Sequence, residues 1–174
     1  MIAVDTQVTI VPVSFTAILD APNAADLIHA YASECIVPDA EPQRPLYEAM
    51  EKAGAIHCFG AYAYKDSFEM STVNGCPSLL IGFCSVLCGI MPHDGHLVAT
   101  ISEMFVDPSY RSTGAADLLL GVAEQCATDA GCRCLISLAR DGSPYDKMLG
   151  RRPGYNRTHA QHTKWLNGYS GGWK

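Results

Sequence analysis

The residues of this sequence best suited to chemistry lie between positions 101 and 120, ISEMFVDPSYRSTGAADLLL. An apolar run ending at Val106 predicts a strand, and Gly114 begins an amphipathic helix that extends to about Ala130. The first backbone N–H groups of a helix have no partner within it and carry the positive end of its dipole, so they bind phosphate well. Gly114 would let the backbone approach a pyrophosphate closely, and Arg111 could add a charge-assisted contact. The segment therefore predicts a binding site for a ligand that carries phosphate groups.

Eight cysteines are the other reactive side chains. They lie mostly in apolar segments and form no C-x-x-C pair, so we predict reduced, structural thiols rather than a zinc site or a disulfide scaffold. Cys84, Cys88 and Cys134 could carry an acyl group as nucleophiles, but none has a visible partner base. The full set is Cys35, Cys58, Cys76, Cys84, Cys88, Cys126, Cys132 and Cys134.

The histidines include two pairs with a spacing of three residues, His93/His96 and His159/His162. Both pairs fall in segments that we predict to be turn and strand, where this spacing directs the two side chains to opposite faces. We therefore predict no metal site.

The segments around residues 101–120 predict a single domain built on a mixed sheet. A helix predicted over residues 45–54, the second in the chain, should direct Leu46, Ala49, Met50 and Ala53 inward. The order of elements is typical of an α/β (α+β) fold, with residues 1–166 as the domain and 167–174 as a flexible tail. The predicted elements are strand 8–19, a helix capped by Asn23 and closed by Pro38, helix 45–54, strands 57–64, 79–91 and 96–106, helix 114–130, strand 132–138, a short helix 144–150 and a last strand 157–166.

Composition and charge restrict the class of protein. The 174 residues are 48% hydrophobic and 17% charged, which suits a globular domain. No apolar run approaches the roughly 20 residues of a membrane-spanning helix, and the N-terminus lacks the pattern of a signal peptide. We therefore expect a cytoplasmic protein with no membrane partner. The net charge of -6 and the absence of a basic stripe with interleaved aromatics argue against nucleic acid as a partner.

The charge is unevenly distributed along the chain. Residues 1–139 hold 5 Lys/Arg against 16 Asp/Glu, whereas residues 140–174 hold 7 against 2. An acidic half would attract a cationic partner, and a basic end would suit a phosphate group. A solvated surface with chance clustering is the alternative.

Residues 103–116, EMFVDPSYRSTGAA, and the turn at Gly154-Tyr155 resemble the GCN5-related N-acetyltransferase (GNAT) family. The likeness is strong over residues 97–155 and only topological before them, and the terminal strand with Lys164 is similar to that of small phage-encoded acetyltransferases. The resemblance implies a mixed, mostly antiparallel sheet of six to seven strands flanked by about four helices. Its fourth and fifth strands would splay apart around coenzyme A. The implied activity is transfer of an acetyl group from acetyl-coenzyme A to an amine, and a homodimer is a further expectation.

The resemblance also implies which residues bind the cofactor. Phe105 and Val106 would hold the pantetheine arm through their backbone, and Ser143 falls near the family's asparagine that contacts this arm. Where the family often has glycine or arginine, this chain has Ser112, which slightly weakens the phosphate loop. The pyrophosphate would be wrapped by Arg111, Ser112, Thr113, Gly114, Ala115 and Ala116.

Glu103 and Tyr145 are the candidate catalytic residues. An amine is cationic at neutral pH and must lose a proton before it attacks a thioester, and a carboxylate can take that proton directly or through water. Glu103 would lie beside the thioester, whose oxygen the N–H of Phe105 or Val106 would polarise. The family's frequent tyrosine acid falls at Gly150, so Tyr145 becomes the candidate donor to the leaving thiolate. A hydrogen-bonded strand residue and a helix-packing residue are the respective alternatives.

The acceptor is predicted only as a class. Glu34, Asp39 and Glu41 fall in the loop that the family uses to line the acceptor groove, which favours a small cationic amine or a lysine side chain. These acids could instead solvate a surface loop, and a phage-like origin would add a modified nucleobase amine. A catalytically silent acyl-coenzyme A binding or regulatory module is the alternative function. A nucleotide-binding domain is disfavoured because the chain lacks G-x-G-x-x-G and a Walker lysine.

Overall fold

The computed structural model describes residues 6–34, 41–64, 72–73, 76–93 and 95–158. The strands are β1 Val8–Val13, β2 Ile56–Tyr64, β3 Thr72–Val73, β4 Cys76–Ile90, β5 Leu97–Val106 and β6 Leu135–Ser137. The helices are α1 Phe15–Leu19, α2 Ala24–Glu34, α3 Arg44–Lys52, α4 Ala115–Asp129 and α5 Pro144–Leu149, and a 3₁₀ helix, Pro108–Thr113, connects β5 to α4. None of the described helices is long and apolar enough to cross a membrane.

The strands form a mixed sheet in the order β1-β2-β4-β5-β6, and the two-residue β3 pairs with the beginning of β4. All neighbours along this order are antiparallel except β5 and β6, which are parallel. The predicted mixed, mostly antiparallel sheet is confirmed. The predicted count of six to seven strands is too high for the described residues, whose continuous sheet has five strands. Arg157 and Thr158, at the start of the predicted last strand, are not in a strand, and residues 159–166 lie outside the described part.

The first predicted strand ends early because a polar side chain begins a helix. Ser14 accepts a hydrogen bond from the Ala17 N–H and so caps α1, which turns residues 15–19 out of the strand. Asn23 precedes α2 but does not cap it: its side-chain nitrogen donates to the Leu80 carbonyl at 2.8 Å, and its Oδ1 is buried without a hydrogen-bond partner. Both differences arise from hydrogen bonds of short polar side chains that strand and helix periodicity do not reveal.

Helix α3 is rotated relative to its predicted orientation. Leu46 is 57% exposed, and Ala49 and Ala53 are also exposed, whereas Tyr47 and Met50 are half-buried. The Tyr47 ring stacks on Phe15 of α1, with ring centroids 3.6 Å apart and planes within 6°. This contact fixes the rotation of α3, because a stacked aromatic pair buries more apolar area than the two alanines would.

Two hydrophobic cores lie on opposite faces of the sheet. Helix α4 covers one face and buries its side chains against strand residues that include Ile101 and Val106. Helices α1, α2 and α3 cover the other face, where Phe83 and Phe105 are buried. Consecutive residues Phe105 and Val106 therefore point into different cores, as alternation along a strand requires.

A bulge in β5 lies at the point where β6 leaves the sheet. In the register with β4, Ser85 faces Glu103 and Val86 faces Ile101, so Ser102 has no paired residue in β4. The pairing of β5 with β6 covers only three positions and ends at Ile101 and Ser137. Beyond these residues β5 continues to Val106 without a neighbour on that edge among the described residues. The result is a gap between β5 and the segment after β6, as the family resemblance implied.

Candidate active site

A large cleft, about 1840 Å³ in volume, opens at the gap between β5 and the chain after β6. Its floor includes β5 residues from Ile101 to Met104. One wall is formed by α1, α2 and α3, and the other by residues around α5. The cleft therefore gives access to the β5 edge from both faces of the sheet.

Glu103 lies in this cleft and is held by two hydroxyl groups. Tyr47 of α3 donates to Oε1 at 2.9 Å, and Ser102 donates to Oε2 at 2.6 Å. Buried Ser85 lies 2.8 Å from the Ser102 hydroxyl, and it can donate there because Ser102 gives its only proton to Glu103. Burial, followed by the charge of Glu103, raises the pKa of Tyr47, so Tyr47 stays a donor. Among the described residues, no cation pairs with the Glu103 carboxylate.

Backbone groups of β5 also face the gap. The Asp107 N–H donates to the Ile81 carbonyl of β4 at 2.8 Å. Because backbone groups of alternate residues point to the same side of a strand, the amides of Phe105 and Glu103 are directed toward β4. The amides of Met104 and Val106 are directed to the other edge of β5, where β6 no longer pairs with it. Arg111 Nε donates to the Val106 carbonyl at 3.0 Å.

The loop after β5 ends at the N-terminus of α4 with no side-chain cap. Asp107 accepts from the Ser109 N–H and begins the 3₁₀ turn, in which Thr113 donates to the Tyr110 carbonyl. Gly114 has φ +81°, and a Cβ placed there would meet no atom within 4 Å. Ala115 is fully buried against the core, and Ala116 is half-buried. The first amides of α4 are therefore open to solvent beside Gly114, and the pyrophosphate site stays a prediction.

The side chain of Arg111 binds a carboxylate in this structure. Its guanidinium contacts both oxygens of Glu34, at 2.7 and 2.6 Å, and lies 5.7 Å from the centre of the Phe105 ring. Glu34 is one of the acidic residues expected to attract a cationic acceptor, and Arg111 compensates its charge. Asp39 lies outside the described residues, and Glu41 is exposed at the cleft.

Tyr145 lines the cleft from α5, on the side of the α4 core. Its hydroxyl hydrogen-bonds the Ser137 hydroxyl at the end of β6. Burial raises the pKa of Tyr145 to about 12, although the Ser137 hydrogen bond opposes this shift. Ser143, expected near the cofactor arm, is the N-cap of α5 and accepts from the Asp146 N–H at 3.1 Å.

Among the described residues, no thiol or imidazole lines the cleft, although the charge of Glu103 contributes to the raised pKa of Cys58 and Cys84. The six cysteines with described side chains are free, and burial raises the pKa of Cys58 and Cys88 to about 12 and that of Cys84 further. Cys84 and Cys88 are therefore thiols at neutral pH, not nucleophilic thiolates. His93 and His96 are exposed in the β4–β5 turn, and His159 and His162 lie outside the described residues. In the described part of the chain, no three His, Cys, Asp or Glu side chains group into a possible metal site.

The sequence profile of the acetyltransferase (GNAT) family matches residues 25–144. The match covers more than half of the chain, and the protein belongs to this family. It is an acetyl-coenzyme A-dependent N-acetyltransferase by class, as the resemblance predicted. No curated protein matches the sequence.

Solved structures with the same fold include an aminoglycoside acetyltransferase and a protein in complex with a coenzyme A bisubstrate analog. One, meta-AAC0020 from an uncultured soil metagenomic sample, has a TM-score of 0.65 and 15% identity, covering 92% of this chain and 97% of its own. The other, AAC(6')-Iy in complex with the bisubstrate analog CoA-S-monomethyl-acetylneamine, has a TM-score of 0.61 and 17% identity, covering 92% and 99%. Ribosomal-protein-alanine N-acetyltransferase from Brucella melitensis biovar Abortus 2308 has a TM-score of 0.61 and 19% identity, covering 92% and 100%. At these identities the likeness establishes the fold, while the phage-like origin and the homodimer stay predictions.

Three residues of the site were not predicted from the sequence. Tyr47, Ser102 and Ser137 hydrogen-bond Glu103 or Tyr145, yet each is a common residue in an ordinary segment. Only the position of Ser102 beside Glu103 could have suggested a partner. Tyr47 lies 56 residues from Glu103 in the sequence, so no local pattern connects them.

Proposed function

We propose that this protein transfers the acetyl group of acetyl-coenzyme A to a primary amine by direct attack in a ternary complex. The acceptor would be a small cationic amine or a lysine side chain. The observation that carries the proposal is the position of Glu103, a carboxylate with no cationic partner among the described residues, at the bulge where β5 and β6 part. A carboxylate in this position can bind an ammonium group and then take its proton.

Residues of this chain provide a chemical group for each step of the reaction. Acetyl-coenzyme A supplies an activated acetyl thioester. Met104 and Val106 direct their backbone amides to the gap, so these amides can hold the pantetheine arm and polarise the acetyl oxygen. This geometry favours Val106 over Phe105 for the second task, because the Phe105 amide is directed toward β4. The Glu103 side chain lies beside the gap on the face of the sheet that α1, α2 and α3 cover.

The phosphate groups of the cofactor would lie at the start of α4. Backbone N–H groups from Ser112 to Ala116 would bind the pyrophosphate beside the open space at Gly114. The Arg111 side chain compensates Glu34 and donates to the Val106 carbonyl, and these contacts support a role in shaping the loop rather than in binding phosphate directly.

Two measurements on the intact protein test the proposal. Acetyl-coenzyme A at about 100 times its Kd should raise the melting temperature by about 5 to 10 °C, because a ligand that binds only the native state stabilises it by mass action. Addition of a primary amine should then release free thiol, detected with a thiol reagent, and yield the acetylated amine by mass spectrometry. A stabilised protein that releases no thiol with any primary amine would instead be the silent binding module.

Tyr145 has a separate test, because we propose that it donates a hydrogen bond to the leaving thiolate. Tyr145→Phe should lower kcat about tenfold and leave the KM for acetyl-coenzyme A unchanged. The loss should fall below the usual range for acid catalysis, because a group with pKa about 12 is poorly matched to a thiol of pKa about 8.5. Steady-state kinetics at saturating amine measure this effect. Tyr62→Phe is the matched control, since Tyr62 is buried on the opposite face and does not line the cleft. A kcat that Tyr145→Phe leaves unchanged would remove Tyr145 from the mechanism.

A further inference from the structure

The wall of the cleft that faces Glu103 is apolar and aromatic. Tyr47 forms part of it and also binds Glu103, and the buried ring of Phe15 supports Tyr47 from behind. Tyr31 adds a second aromatic side chain to the wall. Its ring packs edge-on against Phe83 and Phe105, with ring centroids 5.3 and 5.8 Å apart. Apolar side chains complete this wall, namely Ile28, Leu46, Met50 and Leu87. An acceptor whose amino group reaches Glu103 therefore lays the rest of its body against apolar surface.

Most of the carboxylates that line the cleft are compensated. Five carboxylates line it among the described residues, and three of these are paired with arginine. Arg111 compensates Glu34, and Arg157 binds both Asp141 and Asp146. The two carboxylates without such a partner are Glu103, at the reaction gap, and Glu41, which is exposed at the rim.

Of the two carboxylates without an arginine partner, only Glu103 is half-buried. An ammonium group that leaves water needs a carboxylate or equivalent acceptors in return, since an unpaired charge in a partly buried site is costly. A polycation such as a polyamine or an aminoglycoside would bring several ammonium groups to a cleft whose described residues offer one such carboxylate. An amine with a single ammonium group needs only the Glu103 carboxylate as its partner. Burial of its apolar body against the aromatic wall then stabilises the complex.

We propose that the acceptor is a primary monoamine: its only cationic group is the amine that is acetylated, and its body is apolar and carries an aromatic ring. The proposal rests on the proposed function and narrows it from amines in general to this class. It also changes the role expected for Glu34, because Arg111 already compensates the charge of this residue. Glu103 binds the ammonium, and the aromatic wall binds the body.

A panel of acceptors at saturating acetyl-coenzyme A tests this class. The probes are 2-phenylethylamine, hexylamine, an Nα-acetyl-lysine amide, spermidine and an aminoglycoside. The kcat/KM for 2-phenylethylamine should exceed that for spermidine and for the aminoglycoside by about tenfold or more, since burial of its ring alone is worth at least that factor. It should also exceed the value for the lysine amide, whose backbone is polar.

A charge added to the wall should change this preference. Met50→Glu places a second carboxylate on the half-buried face of α3, so kcat/KM should fall for 2-phenylethylamine and rise for spermidine. Ala53→Glu is the matched control, because Ala53 is exposed just after the same helix and does not line the cleft. If Met50→Glu does not fold, Leu46→Glu serves instead, since Leu46 lines the cleft at an exposed position.

The outcomes distinguish the acceptor class from the activity itself. Faster acetylation of spermidine, the aminoglycoside or the lysine amide than of 2-phenylethylamine would overturn the monoamine class while leaving the acetyltransferase activity intact. A preference that Met50→Glu or Leu46→Glu leaves unchanged would show that the wall does not contact the acceptor, which also overturns it. Absence of thiol release with every probe would refute the proposed function and this inference with it.

Discussion

Replacement of Glu103 by glutamine should lower the rate of acetyl transfer at neutral pH by about a hundredfold or more, the usual size of a general-base effect. The substitution keeps the size of the side chain and removes its ability to take a proton. The loss should become smaller as the pH rises. Between pH 7 and pH 9 the free form of an amine with a pKa of about 10.4 increases about a hundredfold, and a free amine needs no base. Initial rates across this range, at saturating acetyl-coenzyme A, measure both effects.

Tyr47→Phe separates the charge of Glu103 from its positioning. This variant removes one of the two hydroxyl donors to the carboxylate but keeps the carboxylate and the ring that stacks on Phe15. We expect a smaller loss than with Glu103→Gln and the pH dependence of the parent protein. A loss for Glu103→Gln that is equal at every pH would mean that Glu103 positions the acceptor and takes no proton.

The strand, turn and helix around the proposed phosphate site could be predicted from the sequence because their signals are local. Asp107 and Pro108 end β5 and begin a turn, and the Asp107 side chain accepts from the Ser109 N–H only two residues away. Helix α4 was predicted from Gly114 to Ala130 and is observed from Ala115 to Asp129. Its apolar residues repeat at helical spacing, so a single window of sequence contains the information.

The acceptor side could not be predicted in the same way, because long-range contacts determine it. The ion pair between Glu34 and Arg111 joins residues 77 positions apart, and it changes Glu34 from an attractor of cations into a compensated charge. The face that α3 presents depends on the stacking of Tyr47 against Phe15, 32 positions earlier in the numbering. Helical periodicity favoured the face with Leu46 and Ala49, since hydrophobicity alone cannot show which residues meet a core and which meet an open cleft.

Replacement of Gly114 by valine should abolish the rise in melting temperature that acetyl-coenzyme A produces. Gly114 has φ +81°, a conformation that a β-branched residue rarely adopts, and the space beside it is open. A branched side chain would both strain the turn and occupy the space proposed for the pyrophosphate. Thermal unfolding with and without acetyl-coenzyme A measures the effect, and titration calorimetry should show no binding at concentrations that saturate the parent protein.

The strain at Gly114 and the loss of the phosphate site can be distinguished with a second glycine. Gly131 has φ +74° and equally open surroundings, but it lies after the last turn of α4, about 20 Å from the first turn for a helix of this length. Gly131→Val should therefore lower the melting temperature of the free protein much as Gly114→Val does. Only Gly131→Val should keep the stabilisation by acetyl-coenzyme A, because its side chain is remote from the first amides of α4. If both variants kept that stabilisation, the cofactor phosphates would bind elsewhere. If both lost it, strain at either end of α4 would be sufficient to explain the loss, and Gly114 would have no specific part in phosphate binding.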